Sequence, residues 1–356
     1  DNNGIFVDGT FGRGGHTRGI LAALGPRGSL HAFDLDPKAI EFGQQLAKED
    51  SRFHIHHSGF GSMREVLKPL GVKPNGVFLD LGISSPQLDD AGRGFRPEQD
   101  GPLDLRFDLT SGQSAAEFLE TAPRPELIRV LQLYGDPSDP YAARRVADAV
   151  CLAREKGSCP KTTKAFGKLV QSCRGYEYQA MHPAKTVFQA LRIHMNDEFG
   201  QLRDGMAAAR KIMVPGGRLG ILTWKHSECA AVVEFLRTCE VATVDFPLLR
   251  WYKSVEDTLD EEVQQGWGME AAAAQRPQSE ELKLNSRSRS AVLHVFYKKQ
   301  GFRCADLEGV AEVAFGWSGA APAGDEDSAP APKKGKRAKK VDAVEAEEST
   351  KRARVK

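Results

Sequence analysis

A short apolar run, Ile5-Phe6-Val7-Asp8, leads directly into Gly9-Thr10-Phe11-Gly12-Arg13-Gly14-Gly15 and then into a helical stretch from His16 to Leu24. A glycine-rich turn between a first strand and a first helix constrains this chain more than any other feature. Glycines let the backbone turn sharply and approach a ligand closely. The turn is not a phosphate loop, because the G-K-[ST] ending is missing. Taken alone, it suits a dinucleotide as well as another nucleoside cofactor.

The alternation continues beyond it. Gly25-Pro26-Arg27-Gly28 ends the helix, Leu30 to Phe33 reads as a second strand ending at Asp34, and Pro37 opens a helix at a position proline tolerates. Phe53 to His57 and Val77 to Leu81 read as the third and fourth strands. This β-α-β-α order predicts an α/β fold with a parallel sheet covered by helices on both faces. Arg218 to Trp224, after the Pro215-Gly216-Gly217 turn, reads as a further strand, and Val241 to Phe246 and Ala291 to Tyr297 as the last ones. Between the fourth strand and Arg218, the stretches Ser114 to Leu119, Pro125 to Leu133, Tyr141 to Arg154 and Thr163 to Ser172 read as helices. The expected organisation is a core in two parts, 1–99 and 191–300, around a helical insertion over 100–190 that supplies substrate contacts. Residues 301–356 form a mostly disordered tail rich in Lys, Ala, Pro and Glu.

The net charge is +1, unevenly spread. From Gly319 onward ten basic residues face seven acidic ones, which leaves the body with 39 basic against 41 acidic. A protein that grips long duplex nucleic acid by its phosphates is usually more basic, although local basic patches remain open. The run Lys333-Lys334-Gly335-Lys336-Arg337-Ala338-Lys339-Lys340 reads as a nuclear address, an RNA-binding arm or a solvated tail. No apolar run approaches the roughly 20 residues of a membrane span. The six cysteines include no C-x-x-C pair and no zinc-site spacing, which predicts reduced thiols in an intracellular compartment and no metal. The chain opens on Asp1-Asn2-Asn3-Gly4, and this start reads as cut, which leaves room for a lost targeting segment.

Asp34 ends the second strand, with Asp36 two residues on. An acid there accepts hydrogen bonds from the ribose hydroxyls of an adenosine cofactor, or serves as a helix N-terminal residue ahead of Pro37. Adenosylmethionine and NAD both remain open. Asp80 ends the fourth strand, at the sheet edge where open α/β sheets bind ligands. Ser85-Pro86-Gln87-Leu88 then loosely resembles the polar-Pro-Pro-aromatic motif of amino-group methyltransferases, which offers oxygen acceptors to a target amine. The plainer reading is a turn into the insertion.

Together these segments are far more specific than any one of them. The sequence resembles the bacterial 16S rRNA (cytosine-N4)-methyltransferase H family and its organellar relatives. The matching stretches are Val7 to Thr17, Ala32 to Pro37, Phe78 to Asp90, Arg93 to Phe95 and Asp100-Gly101-Pro102-Leu103-Asp104. They continue through His182-Pro183-Ala184, Thr186, Phe188 to Ile193, Asn196-Asp197-Glu198, Pro215 to Leu219 and Arg287 to Leu293. Three departures stand out. The family's segment before the first strand is missing, the linker near Arg174 to Gln179 differs, and Thr223-Trp224-Lys225-His226-Ser227-Glu228-Cys229 stands where the family reads Ser-Phe-His-Ser-Leu-Glu-Asp.

The resemblance implies a Rossmann-like class I methyltransferase sheet with a helical insertion domain, S-adenosyl-L-methionine as cofactor, and small-subunit ribosomal RNA as partner. It implies that Gly14, Gly15, His16, Asp34, Phe60, Asp80 and Gln87 contact the cofactor. Ser85 and Asp104 are the candidate catalytic acceptors for the amine proton, and His182, Lys185 and Arg192 the candidate RNA contacts. Arg287 and Arg289 are further candidates for phosphate. A mitochondrion or plastid is favoured over a bacterial-type cytoplasm, on the lysine-rich tail. Two other classes stay open: an NAD-dependent oxidoreductase, and a non-catalytic RNA-binding assembly factor. A methyltransferase acting on another RNA or on a protein is a third.

Overall fold

The computed structural model describes residues 2–136, 139, 141–174, 182, 184–237 and 269–298. Strands β1 (Ile5–Asp8), β2 (Ser29–Asp34), β3 (Phe53–His57), β4 (Gly76–Asp80), β5 (Arg218–Thr223), β6 (Met269–Gln275) and β7 (Val292–Lys298) form one sheet in the order β3-β2-β1-β4-β5-β7-β6. The first five run parallel, and β7 pairs antiparallel with both β5 and β6. From β1 the chain first builds outward through β2 and β3, then returns to place β4 on the other side. The carboxyl ends of β1 and β4 therefore flank the point where the winding reverses, which is where open sheets of this kind bind ligands.

The helices follow from local sequence. Helix α1 (Gly15–Ala23) starts directly after left-handed Gly14 (φ 75°). In α2 (Pro37–Glu49) the Asp36 carboxylate accepts from the Lys38 amide at 3.0 Å, and Pro37 occupies the first turn. Its buried positions Ala39, Ile40, Gly43 and Leu46 recur at helical spacing and face the sheet. Residues of α1 and α2 pack with Leu30, Ala32 and Phe53 on one face. The other face is covered by α3 (Met63–Leu67), α10 (Glu198–Ile212) and α11 (His226–Arg237), whose Met63, Leu67, Leu202, Met206 and Val232 pack on Val7, Phe33, Leu79 and Ile221.

A second apolar core lies among α5 (Ala115–Thr121), α6 (Arg124–Tyr134), α7 (Ala142–Glu155), α8 (Thr163–Arg174) and α9 (Lys185–Met195). Ser114 and Glu117 form a reciprocal capping box at the start of α5. This core draws in Phe95 ahead of residue 100 and Leu191 beyond residue 190. Ile83 and Leu88, which flank the short helix α4 (Ser85–Asp89) after β4 or sit within it, pack against it. The helical layer therefore reaches the loop at the carboxyl end of β4.

The strand boundaries agree with the sequence reading to within about a residue. β6 was not expected: Met-Glu-Ala-Ala-Ala-Ala-Gln is alanine-rich and has low intrinsic strand preference, and pairing with β7 sets its conformation. The short α12 (Ser279–Leu284) follows it. The strand expected over Val241 to Phe246, the linker beyond Arg174 and the tail 301–356 lie outside the described residues. Among the described residues no helix is long and apolar enough to cross a membrane.

Candidate active site

The loop after β1 is fixed by its polar side chains. Asp8 is fully buried and accepts from the Thr17 hydroxyl at 2.7 Å and the Thr10 amide at 3.1 Å. The Thr10 hydroxyl accepts from the Asp80 amide at 2.7 Å, which ties the loop to the end of β4. Gly12 takes the left-handed conformation (φ 55°) and donates its amide to Asp34 Oδ2 at 2.7 Å. Asp34 Oδ1 accepts from the Asp36 amide at 2.8 Å. Burial of the Asp34 carboxyl, only partly offset by these two amides, pushes its pKa up to about 6.

A cleft opens at this place. Asp34, Leu35, Ser58, Gly59 and Phe60 line one end of it. Leu81, Gly82, Ser84 and Gln87, at the end of β4, line another part, together with Phe107, Asn196, Glu198, Phe199 and Glu228. Phe60 is wedged against α10 where Gly205 leaves room, since a β-carbon there would stand 2.5 Å from the ring. Gln201 on α10 accepts from the Gly61 amide at 3.0 Å and holds that loop in place.

Of the residues singled out from the sequence, Asp34, Phe60 and Gln87 line the cleft. Gly14, Gly15, His16 and Asp80 are not among its lining residues. Asp80 binds the Trp224 indole Nε1–H at 2.9 Å and faces His16 Nε2 at 3.3 Å. The hydrogen bond to Asp80 raises the His16 pKa, against the opposing effect of burial. Gln87 closes a capping box with Ser84 and donates from Nε2 to Asp36 Oδ2 at 2.9 Å. Asp80→Asn is expected to drop the His16 pKa, because the neutral amide no longer favours the imidazolium. An NMR titration reads this directly, and an unmoved His16 would show that Asp80 is not its partner in solution.

Neither candidate catalytic acceptor lines the cleft. The Ser85 hydroxyl accepts from Arg287 Nη1 at 2.7 Å, and Asp104 is held by Arg106 through two bonds of 2.9 and 2.8 Å. His182 accepts from the Ala184 amide at 3.2 Å ahead of α9, and Lys185 is exposed on its first turn. Arg192 requires correction as an RNA contact. It is 6% exposed and paired with Glu198 through bonds of 2.5 and 2.7 Å, so its charge is satisfied inside the fold. The sequence reading missed Thr10, Phe107, Asn196, Glu198 and Phe199, and left Glu228 without a role.

A doubly wound sheet with one antiparallel strand beside the last parallel one, a glycine loop after β1, an acid at the end of β2 and an aromatic after β3 around a shared cleft define a class I methyltransferase. The chain belongs to the MraW methylase family, whose sequence profile matches residues 1–299. It is 38% identical over 299 residues to the ribosomal RNA small subunit methyltransferase H of Shewanella halifaxensis, covering 82% of this chain and 90% of that protein. It is 40% identical over 298 residues to the enzyme of the same name from Alcanivorax borkumensis, covering 83% and 91%. Among solved structures, an rRNA methylase from Streptococcus thermophilus aligns over 84% of this chain and 89% of its own, with 12% identity and a TM-score of 0.35.

Proposed function

We propose that this chain methylates the exocyclic N4 of a cytosine in small-subunit ribosomal RNA, using S-adenosyl-L-methionine. The observation that carries the reading is the family membership over residues 1–299, joined to a cleft with an acid and an aromatic where a nucleoside fits. The cleft residues suit the cofactor. Asp34 keeps lone pairs for two ribose hydroxyls beyond its two amide bonds, and Phe60 offers a ring face or edge to adenine. Gly12, in its left-handed turn, keeps side-chain bulk out of the approach. The cofactor supplies an electrophilic methyl group on a sulfonium.

The amine is a poor nucleophile because its lone pair is delocalised into the ring. The protein's part is therefore alignment, exclusion of water and acceptance of a proton. Phe107 and Phe199 present apolar faces in the cleft for a base splayed out of its RNA. The exposed Lys185, with Arg287 and Arg289 on the approach to β7, supports a role in phosphate binding. The lysine-rich tail supports an organellar compartment, mitochondrion or plastid.

The test is methyl transfer from labelled S-adenosylmethionine to small ribosomal subunits lacking the modification, followed by nucleoside mass spectrometry. N4-methylcytidine is the expected product. Cofactor binding without transfer to any subunit would favour a non-catalytic assembly role. A labelled product other than N4-methylcytidine would move the target to another atom or substrate.

A further inference from the structure

Two carboxylates reach the cleft from helix N-termini far along the chain. Glu198 opens α10, and both its oxygens are occupied by Arg192. Burial opposes its ionisation, but Arg192 and Lys225 outweigh that and hold its pKa below the usual range. Glu228, in the first turn of α11, is different. Its Oε2 accepts from the Trp224 amide at 2.7 Å and the Lys225 amide at 3.2 Å, which turns the chain from β5 into the helix. Its Oε1 is buried and makes no hydrogen bond, although the residue is only 5% exposed and lines the cleft. The nearest cation to Oε1 is Lys225 Nζ at 3.3 Å, which likewise makes no hydrogen bond. Burial and the Arg192 charge lower the Lys225 pKa, against the pull of Glu198 and Glu228.

Oε1 thus has an ion-pair contact with Lys225 but no well-formed hydrogen bond, which is unusual for a buried acceptor and calls for an explanation. The position of Glu228 supplies one. Trp224, its neighbour, reaches across to Asp80 at the end of β4, and the Trp224 ring lies beside Gly82. The Leu81 amide donates to the Leu222 carbonyl, so this part of the cleft is walled by the carboxyl ends of β4 and β5. Asp34 and Phe60, where the nucleoside would sit, extend from β2 and β3 on the far side of β1. Glu228 therefore lines the cleft on the side opposite the nucleoside.

We propose, resting on the methyl-transfer reading above, that Glu228 Oε1 is the acceptor for the amino group of the target base. It takes a hydrogen bond from the amine in the ground state and the proton as methylation proceeds. The new bond joins the amine nitrogen to the methyl carbon, and the carbon–sulfur bond breaks with its electron pair going to sulfur, which becomes a neutral thioether. The proton displaced from nitrogen passes to the Glu228 carboxylate and then to solvent. Lys225 Nζ lies 3.3 Å from that oxygen before the base arrives. This assignment takes the acceptor role from Ser85 and Asp104, whose polar atoms are held by Arg287 and Arg106.

The variant that isolates the role is Glu228→Gln. Its amide oxygen still caps α11, but it cannot take a proton. We expect kcat on small ribosomal subunits to fall by about 100-fold or more, with cofactor affinity by calorimetry and the KM for the subunit near wild type; the melting temperature falls as well, because the buried Lys225 loses a charged partner. Should that variant not fold, Glu228→Asp keeps the charge and withdraws the oxygen by one methylene. It is expected to lose about tenfold or more in kcat at unchanged cofactor affinity. A kcat within threefold of wild type in a folded E228Q overturns the assignment alone. So does a loss confined to cofactor affinity. A wild-type enzyme that binds cofactor yet transfers no methyl group overturns the proposed function, and this assignment with it.

Discussion

Arg93→Ala is expected to destabilise the protein by about 3–5 kcal/mol, the range for removing one partner of a buried ion pair. Arg93 is 2% exposed, and its Nη1 binds Asp36 Oδ2 at 2.6 Å. Its Nη2 donates to the Arg106 and Phe107 carbonyls at 3.0 and 2.8 Å. Asp36 is itself buried, and its remaining bonds are the α2 cap and the Gln87 amide. Without Arg93 the Asp36 carboxylate keeps two neutral donors and no counter-charge, and two carbonyls lose their donor. A chain of this size moves by roughly 2–4 °C in melting temperature per kcal/mol, so a shift on the order of 10 °C is expected by scanning calorimetry. The double variant Arg93→Met with Asp36→Leu removes both charges, and it is expected to recover part of the loss. A single-variant effect below about 1 kcal/mol would mean that water reaches Asp36 and replaces the guanidinium. The same change releases Phe107, which lines the cleft, so weaker ligand binding is expected beside the lower stability.

This clasp shows why part of the site was legible in the sequence and part was not. Asp34, Phe60 and Gln87 each follow a strand or open a helix in the first ninety residues. There the period of the chain, the glycine turn and the family pattern all point to one ligand-binding edge. Glu198 and Glu228 come to the same cleft from α10 and α11, and no local pattern separates a cleft-facing acid in a first helical turn from an ordinary solvated one. Arg192 misled for a related reason. A cationic residue on a helix reads as surface, and only the fold shows that this one is enclosed with Glu198. Asp80, a cofactor contact by the family resemblance, has its side chain beside His16 and Trp224, and the tryptophan lies 144 residues away, beyond the reach of any spacing argument. The parallel half of the sheet was visible because buried parallel strands are continuous apolar runs. The alanine-rich β6 carries no such mark, and its strand character comes from its neighbour β7.

Cofactor affinity is expected to rise with pH between about 5 and 7, and Asp34 is the cause. Before a ligand binds, its carboxyl is pushed up to about 6 from the ordinary 3.8. Burial is the main reason, and the nearby Asp36 carboxylate adds to it. The folded protein thus holds a proton there at pH values where the unfolded chain has lost it. Its own stability falls as pH rises through the window from 3.8 to about 6, because more protons are bound in the folded state. Binding has the opposite slope. Two ribose hydroxyls donate best to a carboxylate, so ligand binding favours the ionised form. At pH 5 only about a tenth of the sites are ionised, and S-adenosylhomocysteine should bind roughly tenfold more weakly than at pH 8. Asp34→Asn removes the charge and one acceptor, and is expected to weaken binding by about 10- to 100-fold at pH 8, the equivalent of one or two charge-assisted hydrogen bonds. It should also flatten the pH dependence, since the amide does not titrate. Calorimetry at pH 5, 6, 7 and 8 on both proteins separates these effects. A slope that survives in Asp34→Asn would assign the titration to another group near the loop, with His16 the first to examine because Asp80 raises its pKa. Equal affinity of both proteins at pH 8 would remove Asp34 from the ribose altogether, and leave it as the residue that fixes the Gly12 turn.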